Sequence, residues 1–370
     1  MANTLTAVTP KLLAQGLMAL REFAVMPRLV NREYDEMAGM QGSTIDVPIP
    51  SAIQAQAVSP NNVSPSTADV SPTSVPIVLD QWFEAPFYMT DKDMLEAMNG
   101  AIPMQASEAI KSLANNVDNY LLGLYPKFYG AVGTAGTTPF ATTTADATNL
   151  RKILHKQLAP NSDRYVVMDP DAEAAALNLR AFQDASYSGS VQAIIEGDLN
   201  RKLGFQWFMD QNVPTHTAGA GTGYLINGTM VLGTKTLVVD TGTGTVVVGD
   251  IITIAGHAQT YTVTTAGTSV TALAIEPGLQ AVPADNAAVT IKGDHVVNLG
   301  FHRDAIAFAT RPLEQDTGGL GVISQSEVDP LTGLALRLEI TREHKRTRFS
   351  YDILYGAEVV RRELGARLFG

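Results

Sequence analysis

Hydrophobic and polar positions alternate along the chain with periods that change from segment to segment. In residues 11–33 apolar side chains recur at three- and four-residue steps, which predicts a helix. The same spacing predicts the longest helix of the chain at 103–124 and another at 146–158. The apolar run 165–168 predicts a buried strand, and Asp169 is expected to cap the helix that follows it. This half of the chain is therefore predicted to mix helices and strands.

An extended, proline-rich segment, residues 43–89, follows the first predicted helix. Apolar side chains alternate at its start as in an edge strand, and a second apolar stretch covers 77–88. The polar loop between them, about 24 residues long, is unusual in a compact domain. A two-stranded arm is barely stable alone, so we expect this one to reach a neighbouring subunit. The candidate inter-subunit contacts are Ile45, Val47, Ile49, Pro60, Pro65, Pro72, Trp82 and Phe83.

The chain changes character at 217–294, where threonine, valine and glycine dominate. Short alternating pieces separated by turn residues predict a small all-β barrel or sandwich in this segment. It is inserted into a larger body of mixed helix and strand, which resumes near residue 296. Close to the C-terminus, alternation in 334–341 and again in 349–355 predicts an antiparallel hairpin with one buried face.

Composition narrows the classes of function. Lysine and arginine number 26 against 37 aspartates and glutamates, and the resulting net charge of −11 disfavours a dedicated nucleic-acid binder. Charged residues make up only 17% of the sequence, which suggests that partner molecules cover much of the surface. The absence of cysteine excludes disulfides and thiolate metal sites. We expect no membrane span, since no apolar run approaches about 18 residues. We also expect no secretory signal, because residues 1–10 lack a charged region followed by an apolar one.

Motifs of catalysis and of cofactor binding are missing from the sequence. None of the six histidines stands four residues from another, as a helical zinc pair requires. The glycine-rich loop at 130–144 lacks the lysine and hydroxyl residue of a phosphate loop, and no Gly-x-Ser-x-Gly nucleophile turn occurs. We therefore predict no catalytic, cofactor-binding or metal-binding residues, and no enzyme.

A local basic cluster lies at the turn of the predicted C-terminal hairpin. Its members are Arg342, Lys345, Arg346 and Arg348. Two interpretations stay open for these charges. They can form an ordinary solvated turn, or they can contact acidic neighbours or nucleic acid, on an inner face or between subunits.

The order of these parts resembles that of the major capsid proteins of tailed phages, which have the α+β Hong Kong 97-type fold. The matching passages are VNREY at 30–34, GSTIDVP at 42–48 and GFHRDAIAFA at 300–309. The inserted β domain is most similar in position to the telokin-like insertion of the P-twenty-two-like coat proteins. The resemblance covers nearly the whole chain, and its specificity lies in the order of the parts and in the insertion.

The resemblance implies a division of the chain into five parts. These are an N-terminal arm helix (1–42), an extended loop (43–89), a peripheral domain with a spine helix plus the first part of an axial domain (90–216), an inserted β-barrel domain (217–294), and the remainder of the axial and peripheral domains (295–370).

It also implies a shell subunit, which assembles through hexamers and pentamers into an icosahedral head around double-stranded phage DNA. A scaffolding protein would direct a procapsid that expands on maturation. The other implied partners are further copies of the chain, a portal, DNA held without sequence preference and a decoration protein. The implied location is the virion, after assembly in the host cytoplasm.

Three other classes stay open at this point. An enzyme with an inserted β domain would need a pocket with converging polar groups. The shell of a non-viral nanocompartment would share the fold and differ in its cargo. A bacterial surface or adhesion protein is suggested by the threonine-rich segment, but the internal position of that segment opposes it.

Overall fold

The computed structural model describes most of the chain between residue 24 and the C-terminus. The described residues are 24–34, 44–50, 53, 55, 72–92, 101–184, 195, 197, 199–314, 322–328 and 333–370. The predictions for Pro60, Pro65 and residues 11–23 fall outside these ranges. For residues 24–33, which the structure describes, the predicted helix is wrong. Only a 3-10 turn forms there, at Met26–Arg28 with Pro27 inside it.

The described part contains four α-helices and 22 strands. The helices are α1 (Ala101–Leu122), α2 (Ala145–Lys156), α3 (Pro170–Asn178) and α4 (Arg180–Gln183). The strands are β1 (Thr44–Ile49), β2 (Thr73–Val78), β3 (Gln81–Thr90), β4 (Gly130–Val132), β5 (Arg164–Met168), β6 (Arg201–Lys202), β7 (Phe205–Met209), β8 (Thr215–His216), β9 (Tyr224–Ile226), β10 (Thr236–Asp240), β11 (Thr245–Val246), β12 (Ile251–Ile254), β13 (Thr260–Val263), β14 (Gly267–Thr268), β15 (Ala272–Glu276), β16 (Ala288–Ile291), β17 (His295–His302), β18 (Ile306–Thr310), β19 (Val322–Val328), β20 (Ala335–Glu343), β21 (Arg346–Val359) and β22 (Gly365–Phe369).

A seven-stranded mixed sheet forms one half of the body. Its strands follow the order β4-β22-β17-β5-β7-β6, and β8 pairs with the start of β17. The predicted strand at 165–168 is confirmed as β5, and the predicted cap is confirmed because the Asp169 carboxylate accepts a hydrogen bond from Asp171 N at 3.2 Å. Helix α2 packs on one face, where the Leu150 side chain fills the space above Gly300.

A five-stranded sheet and the long helix α1 form the other half of the body. The predicted C-terminal hairpin is confirmed as β20 and β21, which pair from Arg337 with Asp352 to Glu343 with Arg346. β3 pairs with β21 on the opposite side through ten residues, Gln81 to Thr90. The predicted longest helix is confirmed as α1, whose apolar side packs against β3, β21 and the turn at 26–28.

The inserted segment forms a closed six-stranded barrel with its own apolar core. Its strands follow the order β10-β15-β13-β12-β16-β9, so the barrel alternative of the sequence prediction is confirmed. Closure leaves no exposed sheet edge among these strands, which removes a common site of aggregation. The buried residues of the barrel form a cluster separate from the core of the body.

The extended segment contains a two-stranded hairpin, but its second strand is not the one predicted. β1 pairs with β2, from Thr44 with Val78 to Ile49 with Thr73, whereas 81–90 forms β3 in the sheet of the body. The hairpin lies close against β21, since a Cβ on Gly356 would stand 2.1 Å from Val78 O. Part of the predicted arm therefore belongs to the body, because ten backbone pairs with β21 hold it there.

Candidate assembly surfaces and the barrel junction

The predicted arm contacts divide between buried and exposed side chains. Ile45 and Val47 are buried within the chain, where they pack in a small cluster with Ile77 and Ala307. The prediction that these two side chains contact a neighbouring subunit is therefore corrected, because alternation along β1 turns them towards their own body. Ile49 is half-buried and Pro72 is exposed, so for them the contact stays a prediction.

Trp82 and Phe83 lie on β3 and present aromatic surface to solvent. Trp82 is 63% exposed, although its indole N–H donates to Asp352 Oδ2 at 3.1 Å. Phe83 is 38% exposed and stacks on Tyr355 with 6.3 Å between ring centroids. Among the described strands β3 pairs only with β21, so it lies at an edge of its sheet, beside exposed aromatic rings. For both residues, contact with another subunit stays a prediction.

The basic cluster at the β20–β21 turn is largely neutralised within the chain. Its ion pairs are Arg342 with Asp91 at 2.6 Å, Arg346 with Glu343 at 2.5 Å and Arg348 with Glu84 at 2.6 Å. Lys345 is exposed at the turn itself, with a left-handed φ of 58°. Four cations against three carboxylates leave a net charge of +1, so the solvated-turn interpretation accounts for most of the cluster. An inner-face or inter-subunit role stays a prediction.

The barrel is joined to the body by a buried polar contact that sequence analysis did not find. Arg367 in β22 is completely buried, and its Nη1 donates to Gly249 O at 2.6 Å while Nη2 donates to Thr262 Oγ1 at 3.2 Å. Thr262 Oγ1 in turn donates to Pro126 O at 3.0 Å. Burial lowers the pKa of the Arg367 guanidinium to about 9, so this group is still charged at pH 7.

Three further side chains extend this contact. The Tyr125 hydroxyl lies 2.9 Å from His216 Nδ1, and His216 Nε2 lies 2.9 Å from Asp250 Oδ1. With Nε2 protonated, His216 donates to Asp250 and accepts from Tyr125. Burial raises the pKa of the Tyr125 hydroxyl, which keeps its proton as the donor in this chain. We call Tyr125, His216, Asp250, Thr262 and Arg367 the barrel junction.

The barrel junction has the residue types of a proton relay but not the access that catalysis requires. Only 3% of the side-chain surface of His216 is exposed, and none of that of Asp250. Asp250 also accepts hydrogen bonds from Val247 N at 2.8 Å and Gly219 N at 3.1 Å, which fix it in place. The arrangement therefore orients one structural unit on another. Its only sequence signal is an arginine inside the apolar strand β22.

A second buried carboxylate holds the N-terminal segment against α1. Asp118 is fully buried, and its two oxygens accept from Val25 N and Met26 N, both at 3.0 Å. Burial, with the charge of Asp210 as a smaller cause, raises the pKa of Asp118 to about 8. The sequence predicted α1, but its period does not say which polar residue of the helix is enclosed.

The described part of the chain offers little to catalysis. A cleft of about 410 Å³ lies between α2 and the barrel, and the polar side chains Lys152, Lys156, Gln157, His257 and Tyr261 are among those that line it. Its lining contains no carboxylate, serine or cysteine. Among the described residues no group of three histidines or carboxylates stands close enough to hold a metal ion, and no helix there is both long and apolar enough to span a membrane.

Two solved structures resemble the chain over most of its length. A chain from Mycobacterium phage Che8 has a TM-score of 0.56 at 14% identity, covering 93% of this chain and 90% of that one. The capsid of the cyanophage P-SCSP1u has a TM-score of 0.50 at 13% identity, covering 89% and 84%. No protein-family model and no curated protein matches the chain.

The specific likeness of the barrel to a telokin-like insertion, and of the chain to P-twenty-two-like coat proteins, stays a prediction. The fold predicted from the order of the parts is confirmed by these two structures. The long helix α1, the two sheets and the extended hairpin are therefore arranged in the Hong Kong 97-type fold of phage capsid proteins.

Proposed function

We propose that this chain is the subunit of a protein shell, a major capsid protein that assembles with further copies of itself. The observation that carries the proposal is the likeness in fold, over nearly the full chain, to a chain from Mycobacterium phage Che8 and to the cyanophage capsid. A shell subunit requires large contact surfaces and no active site. The role is structural and not enzymatic.

The molecule's surfaces support this role. The β1–β2 hairpin packs beside β21, and the neighbouring strand β3 carries the exposed aromatic side chains of Trp82 and Tyr88. Exposed aromatic side chains beside an unpaired strand edge are typical of protein contacts. The barrel junction gives the inserted barrel a fixed orientation, which a regular shell requires of every copy.

The proposal extends to finer features that the resemblance implies. Copies would form hexamers and pentamers of an icosahedral head, built on a scaffolding protein and around a portal, which expands and encloses double-stranded DNA. The segment 43–89 would overlap a neighbouring subunit, and 217–294 would face outwards, where a decoration protein can bind. In this proposal the chain resides in the virion after assembly in the host cytoplasm.

Negative-stain electron microscopy of the purified chain, alone and mixed with a lysate of its source, tests the proposal. We expect closed, uniform shells or tubular polyheads. A persistent monomer in both samples, with a radius of gyration near ~21 Å as for a single compact domain of this length, would contradict it. Nuclease-protected double-stranded DNA inside particles from the source would support the phage head, whereas an enclosed enzyme would identify a nanocompartment shell.

A variant pair links assembly to the surface of β3. Trp82→Ala removes an exposed aromatic side chain from the proposed contact edge, and we expect assembly to weaken by about tenfold, as at a moderate interface hot spot. Val231→Ala is the matched control, because Val231 is 70% exposed on the barrel. Equal assembly of both variants would exclude the edge of β3 as a contact.

A further inference from the structure

The barrel is attached to the body through two chain segments, and each of them carries a histidine. The barrel strands β9 to β16 lie between His216, the last residue of β8, and His295, the first residue of β17. β8 and β17 pair antiparallel, and these two histidines stand opposite each other in the register. We call residues 214–216 and 295–297 the neck. The chain therefore enters and leaves the barrel beside a pair of histidines.

Both imidazole rings are buried in the neck and lie close together. His216 and His295 are each 2% exposed, and their ring centroids stand 5.2 Å apart. The His295 ring also packs on the ring of Phe369, with 3.9 Å between the centroids. A proton added to either histidine would place a charge where water does not reach it, and protons on both would place two like charges side by side.

The surroundings of the His295 ring fit its neutral form. Its Nδ1 lies 2.8 Å from Gly293 O, and because a carbonyl oxygen only accepts, Nδ1 carries the proton and donates it. Nε2 is buried and has no hydrogen-bond partner among the described residues. Protonation of Nε2 would therefore create a buried N–H without an acceptor in addition to a buried charge, and both cost free energy.

The charged side chains that act on His295 cancel each other while both histidines are neutral. They are Arg367 of β22 and Asp250 of the barrel, and Tyr125 of the body adds only a neutral hydroxyl beside His216. Burial is the main cause that lowers the pKa of His295 to about 4, and His216 and Arg367 act in the same direction. The charge of Asp250 and a backbone hydrogen bond oppose this shift without cancelling it.

We propose that the neck is a pH-sensitive contact, which holds the barrel on the body while both histidines are neutral and opens when acid protonates them. In the open neck His295 meets water and regains its ordinary pKa, so the open state binds more protons than the closed state in mildly acidic solution. The neck is therefore closed at neutral pH and weakens as the pH falls. The inference goes beyond the proposed function, because it concerns a single chain and does not depend on assembly.

The expected size of the effect follows from the two pKa values of His295. With about 4 in the closed neck and the ordinary 6.5 in the open neck, the equilibrium constant for opening should rise about 30-fold between pH 8 and pH 5. The rise should begin near pH 6.5 and level off below pH 4. A local measurement is required, because Asp118 shifts the stability of the whole chain in the opposite direction.

Hydrogen exchange of the full, unassembled chain measures the opening. Val297 N donates to Pro214 O at 2.9 Å across the neck, so its amide exchanges when that bond breaks. Its protection factor, which corrects for the intrinsic pH dependence of exchange, should fall about 30-fold from pH 8 to pH 5. Asn227 N, which donates to Val238 O at 3.0 Å within the barrel, is the reference and should keep its protection.

Two histidine variants assign the effect to the neck. His295→Gln removes the titrating ring and keeps a polar side chain, so protection of the Val297 amide should change by less than about threefold over the same pH range. His344→Gln is the matched control, because it makes the same substitution at an exposed histidine of the β20–β21 turn, and it should keep the full wild-type response. An NMR titration of the His295 ring in the wild type needs no variant, and its midpoint is expected at about pH 4.

Any of three results would overturn the inference. The first is equal protection of the Val297 amide at pH 8 and pH 5 in the wild type. The second is a full pH response in His295→Gln, which would assign the response to another group. The third is an equal loss of protection at Asn227, which would mean that acid unfolds the barrel instead of opening the neck. If His295→Gln does not fold, a wild-type His295 midpoint near pH 6.5 would contradict the inference equally.

Discussion

Replacing Arg367 by methionine tests whether the barrel junction holds the barrel on the body. Methionine keeps a similar volume and therefore avoids a large cavity, but it cannot donate the hydrogen bonds to Gly249 O and Thr262 Oγ1. It also lacks the charge that lies 5.1 Å from the centre of the Tyr125 ring. The buried Asp250 nearby loses a favourable electrostatic partner.

The expected cost can be worked from these contacts. A buried carbonyl left without its donor costs about 1–3 kcal/mol. The lost cation–π contact costs about 0.5–2 kcal/mol. Part of this cost is offset, because burying the guanidinium carries a desolvation penalty that burying methionine does not. We therefore expect the free energy of unfolding to fall by roughly 2–4 kcal/mol.

Urea denaturation followed by circular dichroism measures the change, and hydrogen exchange locates it. The amide of Gly249, bonded to Val263 O at 2.9 Å beside the junction, should exchange faster. Arg367→Lys should recover part of the loss, since it restores the charge. The control Arg342→Met removes an exposed ion pair and should cost less than about 1 kcal/mol. Equal stability of Arg367→Met and Arg342→Met would refute the reasoning.

Three other predictions concern the packing of the body and the barrel. The folded pKa of Asp118, about 8, exceeds its ordinary value of 3.8, so the folded state binds more protons between these values and the free energy of unfolding falls as the pH rises from 4 to 8. Asp118→Asn should flatten that slope in urea denaturation, and an unchanged slope would exclude Asp118 as its source. Gly356→Ala places a methyl group against Val78 O and should speed proteolysis within 43–79; cleavage at the wild-type rate would contradict the close packing. A fragment of residues 217–294 should give a dispersed NMR spectrum, because the barrel has its own core; a collapsed spectrum would mean that the junction is required for folding.

The hairpin of the extended segment shows what sequence periodicity can predict and what it cannot. Alternation at Ile45 and Val47 predicted a strand with one apolar face, and β1 has that face. Periodicity does not say what covers the face. The structure covers it with Ile77 and Ala307 of the same chain, so the expected contact with a neighbour was wrong for these two side chains. The same reasoning placed α1, the barrel strands and the β20–β21 hairpin, whose periods are long and regular.

The sequence by itself indicated most of the described helices and strands, a β-rich segment inserted into a mixed body, and an order of parts that resembles that of phage capsid subunits. These features depend on neighbouring residues and on composition, which a linear pattern records. The barrel junction and the enclosure of Asp118 were decided only by the tertiary structure. Arg367 and Gly249 are 118 positions apart in the chain, so no local pattern predicts their hydrogen bond. Only the folded structure buries Arg367 where it can join the barrel to the body.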